Sequence, residues 1–222
     1  MKFQVLKTAE VKTIGTLTEQ TKKILFVTHG HGQLVEFFGK KLEWIQHPDL
    51  FIICPEALNR FYLKGFNGRV GATWMTSQFR DDDIVDNHLY LNSLLTQCKA
   101  TAPKAELHLL GFSQGAQTIS RWAFFEKLNF SSICLWGGRQ AHDVDWTAYA
   151  KKSTTIPFEL RMGDDDEYYG DDKITDWLNQ WRSNNTRFRF KLYKGKHRLE
   201  KKELKNYAKD ILKLADIDSN SK

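Results

Sequence analysis

The 222-residue chain is poor in the features that define several protein classes. It has three cysteines, at positions 54, 98 and 134, an odd number without the paired spacing of a zinc site or a disulfide framework. Cys54 and Cys134 lie inside apolar runs, where a free thiol behaves as a small hydrophobe. A reducing compartment, and hence a cytoplasmic location, is the expectation. Four prolines and fourteen glycines exclude collagen-like and linker-like chains. The longest apolar runs, Ile24–Val27 and Leu50–Cys54, are far short of the roughly 20 residues that span a bilayer as a helix. The first residues, Met-Lys-Phe-Gln-Val-Leu-Lys-Thr, lack the apolar stretch of a secretory leader, so none is expected.

What is present is the balance of one globular domain spanning residues 1–222: 41% apolar and 27% charged residues. The net charge is +6. Part of that excess is local, in Lys191, Lys194, Lys196, Arg198, Lys201, Lys202, Lys205 and Lys209. A solvated helix face accounts for this cluster, and no nucleic-acid partner is expected.

Short apolar runs alternate with longer amphipathic ones. Phe3–Val11 and Thr13–Leu17 read as an N-terminal hairpin within residues 1–20. Lys23–Thr28, Leu50–Cys54, Glu106–Phe112, Ser131–Trp136, Pro157–Met162 and Arg187–Tyr193 read as buried strands. Between them, helical spacing predicts helices from Gln33, from Asp81, over Gln114–Leu128, over Lys173–Trp181 and over Glu200–Leu214. Buried strands alternating with helices predict an α/β fold, a mostly parallel sheet covered on both faces. Residues 216–222 are polar and predicted to fray. Glu56–Arg80 has no period. Its aromatics suggest either core packing or a wall over a pocket, with Phe61, Phe66 and Trp74 as candidate pocket residues.

The sharpest motif is Gly111-Phe112-Ser113-Gln114-Gly115, at a predicted strand-to-helix junction. A sharp turn there lifts the Ser113 hydroxyl out of the sheet, and glycines two positions either side leave room for it. A serine nucleophile needs a base. His197, in the loop after the last strand, is the candidate. The base needs an orienting carboxylate, and Gly163-Asp164-Asp165-Asp166-Glu167 follows the preceding strand. Spacing from the glycine favours Asp166, with Asp165 second; Asp164 stays open, and Asp143 and Asp145 are more distant candidates. Backbone N–H groups of His31, in Thr28-His29-Gly30-His31-Gly32-Gln33, and of Gln114 are the candidate oxyanion donors. His-Gly-His also invites a metallo-hydrolase reading, but no further ligand cluster completes a zinc set, so no metal is expected.

These pieces resemble the α/β-hydrolases, and within them the small carboxylesterase/lysophospholipase group that includes acyl-protein thioesterases. The resemblance rests on His29-Gly30-x-Gly32, Gly71-x-x-Trp74, Gly111-Phe112-Ser113-Gln114-Gly115, Gly163-x-x-Asp166 and Gly195-x-His197, which keep the group's order. It implies one domain without a large cap and a Ser113–His197–Asp166 triad. It also implies hydrolysis of small-molecule esters or thioesters, no cofactor, and Trp74 near the acyl pocket. The chain departs from the group at Gln33, at Met75-Thr76 after the tryptophan, and at Glu167-Tyr168-Tyr169-Gly170 after the acid. The rival from another class is a binding protein on an inactive hydrolase scaffold. Oligomeric state is not legible.

Overall fold

A computed structural model describes residues 1–156 and 158–213. Seven strands form one sheet: β1 (Val11–Ile14), β2 (Lys23–Thr28), β3 (Leu50–Pro55), β6 (Glu106–Phe112), β7 (Ser132–Trp136), β8 (Phe158–Gly163) and β9 (Phe188–Tyr193). Their spatial order is β1-β3-β2-β6-β7-β8-β9. Every pairing is parallel except β1 against β3. Two further strands, β4 (Asn59–Tyr62) and β5 (Val70–Thr73), make a separate antiparallel pair.

Side-chain alternation sorts the core into two layers. Ile24 and Phe26 of β2 face one layer and Leu25 and Val27 the other. On the first face lie α2 (Arg80–Thr101), α3 (Gln114–Phe125), α4 (Trp146–Ser153) and α5 (Asp171–Ser183), burying Leu91, Trp122, Tyr149, Trp177 and Trp181. On the second lie α1 (Val35–Leu42) and α6 (Lys201–Leu212), burying Val35, Phe38, Leu204 and Tyr207. Both faces are thus covered, as near-continuous apolar strands require.

The expected hairpin at the N-terminus is not formed. Residues 1–10 carry no strand, and β1 pairs with β3 as the antiparallel edge of the main sheet. The reason is burial: Ile14 is enclosed only against the sheet, and Met1, Phe3, Val5 and Leu6 have no such surface and stand exposed. The hairpin is instead β4–β5, within the aperiodic segment. Helix α4 was also not legible; Asp145 caps it, accepting a hydrogen bond from Thr147 N–H at 3.0 Å. Expectations for Pro157, Leu214 and the 216–222 tail lie outside the described residues. Among the described residues no helix is long and apolar enough to cross a membrane.

The basic cluster near the C-terminus is partly neutralised. Lys191 pairs with Glu203 at 2.9 Å and Arg198 with Glu200 at 2.7 Å. Buried Arg161 gathers Glu159, Glu203 and Asp210.

Candidate active site

The strand order reverses at β2, which has β3 on one side and β6 on the other. Loops leaving the carboxyl ends of two such strands diverge and open a crevice. Thr28, ending β2, is in register with Gly111 of β6. The glycine loop after β2 and the serine after β6 are therefore neighbours by topology.

Ser113 adopts φ 54° and ψ −119°, a conformation that favours glycine. Its N–H donates to Trp136 O at 2.9 Å, which anchors the turn to β7. A Cβ at Gly111 would strike Gly115 O and one at Gly115 would strike Thr28 O, so the turn and α3 sit directly on their neighbours.

β8 and β9 run side by side, with Gly163 opposite Tyr193. The acidic turn after β8 therefore meets the histidine loop after β9. Each acid has its own position. Asp164 accepts the Gly195 N–H at 2.9 Å. Asp165 is exposed, 3.9 Å from the Lys196 ammonium. Glu167 accepts the His197 N–H at 3.2 Å. Asp166 has a fully buried carboxylate, with Oδ2 2.7 Å from His197 Nδ1 and Oδ1 accepting the Tyr168 N–H at 3.0 Å.

His197 Nε2 lies 2.9 Å from Ser113 Oγ. The ring is held between Phe112, 4.9 Å away, and Tyr168, 4.6 Å away edge-on. It passes over Gly137, where a Cβ would come within 3.3 Å of the imidazole. A carboxylate–imidazole–hydroxyl chain of this geometry can move a proton from Ser113 Oγ to His197 Nε2 while the carboxylate fixes Nδ1–H.

The loop after β2 is braced from within. Gly30 N–H donates to Gln33 Oε1 at 2.8 Å, and Gly32 N–H to Ala72 O at 2.8 Å. Among the described residues the N–H groups of His31 and Gln114 have no protein acceptor. Gly30 is close enough to the nucleophile that a Cβ there would lie 3.0 Å from Ser113 Cβ.

Two histidines of that loop make contacts that brace it. His29 is buried, its Nδ1–H donating to Gly30 O at 2.8 Å and its Nε2 accepting from Ala57 N–H at 3.0 Å. Burial drives its pKa down to about 4, so it is neutral. His31 Nδ1 contacts Thr73 Oγ1 at 3.1 Å, and its ring stacks on Phe61 at 5.0 Å. Among the described residues no group of three or more His, Cys, Asp or Glu side chains is placed to hold a metal ion.

The aromatic candidates separate. Phe61 is half-buried beside His31. Phe66 is 97% exposed in the β4–β5 turn. Trp74 has no exposed surface; its indole N–H donates to His29 O at 2.8 Å, so it is a core strut behind the loop rather than a pocket wall. The pattern Gly71-x-x-Trp74 marked the position without its direction.

Sequence reasoning missed three supporting parts. The Gln114 carboxamide reaches β5, with Nε2 donating to Thr73 Oγ1 at 2.9 Å and to Met75 O at 3.0 Å. Gly137 gives room to the imidazole. Buried Arg121, on α3, holds Asp143 through Nε at 2.8 Å. Burial alone would raise the Asp143 pKa, but Arg121 and Arg80 outweigh it and hold the carboxyl at about 2. Asp143 is thereby committed to that pair rather than to His197. A Gly-Gly after a strand and a carboxamide in the motif were the only signals.

Comparison with solved structures gives the same arrangement of elements. Maize (Zea mays) acyl-protein thioesterase 2 superposes with TM-score 0.71 at 18% identity, covering 93% of this chain and 99% of that one. A phospholipase/carboxylesterase from Dyadobacter fermentans gives 0.67 at 17% identity, covering 94% and 99%. The Bacillus cereus carboxylesterase gives 0.63 at 12% identity, covering 92% and 94%. No curated protein matches by sequence. The family model described as phospholipase/carboxylesterase matches residues 9–215, nearly the whole chain. The chain belongs to the phospholipase/carboxylesterase family of the α/β-hydrolases.

Proposed function

We infer that the protein is a serine hydrolase that cleaves small-molecule carboxylic esters or thioesters through an acyl-enzyme. The observation that carries this reading is the unbroken chain Ser113 Oγ–His197 Nε2 at 2.9 Å and His197 Nδ1–Asp166 Oδ2 at 2.7 Å. Ser113 Oγ attacks the carbonyl carbon as its proton passes to His197 Nε2. The carbonyl oxygen becomes an alkoxide held by the His31 and Gln114 N–H groups. The free N–H groups at the start of α3 add the positive end of a helix dipole. Asp166 accepts Nδ1–H and stabilises the imidazolium. His197 then gives its proton to the departing alcohol or thiol, and water repeats the sequence on the acyl carbon. No cofactor is needed in any step.

The maize and Bacillus structures, named as thioesterase and carboxylesterase, support acyl transfer as the reaction class. Three free, buried cysteines fit a cytoplasmic setting.

The test is fluorophosphonate labelling with mapping of the modified residue, run beside p-nitrophenyl acetate and octanoate turnover. Label on Ser113, absent in Ser113→Ala, together with turnover is the expected result. A folded protein that neither labels nor turns over either ester overturns the reading in favour of a binding scaffold.

A further inference from the structure

Beside the glycine loop lies a groove of about 540 Å³, within the range of small-ligand sites. Its apolar surface comes from Leu34, Phe37 and Phe38 of the α1 region and from Val70 of β5. Gly32 and Gln33 form its near wall. That wall belongs to the same loop as Gly30, where a Cβ would lie 3.0 Å from Ser113 Cβ, so the groove begins two residues along the chain from the contact with the serine. The Gln33 carboxamide, which holds Gly30 against Ser113, is shared between them.

The groove is not simply apolar. Lys41 and Arg69 stand at its rim. Among the described residues neither forms an ion pair, whereas the nearby Arg198 is taken by Glu200 and Lys12 by Glu43. Lys41 is half-buried, and burial together with the nearby Arg198 charge disfavours its ammonium form. The Glu200 carboxylate partly offsets this from nearby but forms no ion pair with Lys41, and a partly desolvated cation without a direct ion-pair partner gains from an incoming anion more than a fully hydrated one does. An apolar channel with two unpaired cations at its edge is complementary to an apolar arm that ends in a negative charge.

We propose that this groove selects anionic amphiphiles, so that the preferred substrates are esters whose apolar arm carries a carboxylate or phosphate bound by Lys41 and Arg69. The proposal rests on the serine-hydrolase reading for the reaction, but it assigns a ligand class to the groove that stands apart from the chemistry at Ser113.

Three esters test it: p-nitrophenyl hexanoate, mono-p-nitrophenyl adipate with the charge on the acyl arm, and p-carboxyphenyl hexanoate with the charge on the alcohol arm. The quantity read is the kcat/KM ratio of each anionic ester to the neutral one, compared between wild type and Lys41→Gln/Arg69→Gln. That comparison cancels intrinsic ester reactivity. The ratio for one anionic ester is expected to fall about tenfold in the double variant, the scale of two partly exposed charge contacts. Lys41→Glu/Arg69→Glu should lower it further. Unchanged ratios for both anionic esters overturn the proposal while leaving the hydrolase reading intact.

Titration of the Ser113→Ala protein with hexyl phosphate, followed by amide shifts in NMR, separates the two readings. Binding that weakens about tenfold in the Lys41→Gln/Arg69→Gln background supports the groove even if no ester is turned over. Absence of binding, or binding indifferent to both substitutions, counts against it.

Discussion

Gln114 and Thr73 are joined by the Gln114 carboxamide, whose Nε2 donates to Thr73 Oγ1 at 2.9 Å while Oε1 accepts the neighbouring Trp74 N–H at 3.1 Å. The residue assigned to donate its backbone N–H to the oxyanion is thus clamped by its own side chain to the end of β5. Thr73 Oγ1 in turn contacts His31 Nδ1 at 3.1 Å, the residue assigned the other donor. The two residues proposed to supply the oxyanion donors, from loops after different strands, are thus both tied to one hydroxyl.

Gln114→Ala keeps the backbone donor and removes the clamp. It leaves the Trp74 N–H and Met75 O without these partners, a loss of about 1–3 kcal/mol in stability. Turnover on p-nitrophenyl butyrate should fall roughly tenfold in kcat with KM little changed, because donor aim matters most in the transition state. An equal loss through KM alone would assign the side chain to substrate binding instead.

Ser113 holds a backbone conformation suited to glycine, φ 54° and ψ −119°. Such strain costs on the order of 1–3 kcal/mol. Ser113→Gly should release it, partly offset by the larger entropy of a glycine in the unfolded chain. A net gain of about 1 kcal/mol corresponds to a Tm rise of about 2–4 °C for a chain of this size. The same variant should lose turnover almost completely. A lower Tm in calorimetry would show that the turn is not strained as its dihedrals indicate.

The inner strands of the sheet were legible because they are apolar over nearly their whole length, and Lys23–Thr28 and Glu106–Phe112 were read with the boundaries they have. The β4–β5 hairpin was not, because each strand has four residues and β4 is only partly buried, so neither apolar continuity nor clean alternation marks it. The N-terminal segment misled for the opposite reason. Phe3, Val5 and Leu6 look like strand residues, but nothing in the fold receives their side chains. Within the site, motif spacing located Ser113, His197 and the acidic run. What spacing could not carry was direction: that Trp74 turns inward to His29 O while Phe66 stands in solvent, or that four neighbouring acids split into separate partnerships.

That division among the acids gives a discriminating experiment. In Asp166→Asn the Tyr168 N–H retains the carboxamide oxygen as acceptor, which turns the NH2 group toward His197 Nδ1. Nδ1 must then accept, the proton moves to Nε2, and the base that faces Ser113 is lost. A fall of about 10⁴-fold in kcat is expected by this tautomer argument. Asp165→Asn, at an exposed position 3.9 Å from Lys196, should stay within about threefold of wild type, since surface pairs contribute little. Comparable losses in the two variants would reject Asp166 as the orienting acid.

Two of the buried histidines, His29 and His108, make the fold sensitive to acid. Burial holds both His29 and His108 at about 4, below the ordinary value of 6.5. In each the folded form is neutral, whereas the unfolded chain takes up the proton below about 6.5. The unfolded state therefore binds up to two more protons between pH 6.5 and 4, and stability falls as pH is lowered through that window. Each histidine adds about 1.4 kcal/mol per pH unit to the slope at full effect. For His29 the cost is visible in its contacts, since a proton on Nε2 would remove the acceptor of the Ala57 N–H. His108 Nδ1 pairs with Ser132 Oγ at 2.7 Å and its Nε2 faces the Glu106 carboxylate at 3.4 Å, surroundings in which a neutral carboxamide can replace it. Urea unfolding of wild type at pH 7, 6 and 5 should show the midpoint dropping at each step. His108→Gln should flatten the dependence by about one proton's worth. A midpoint constant from pH 7 to 5 would mean that neither imidazole is held neutral by the fold.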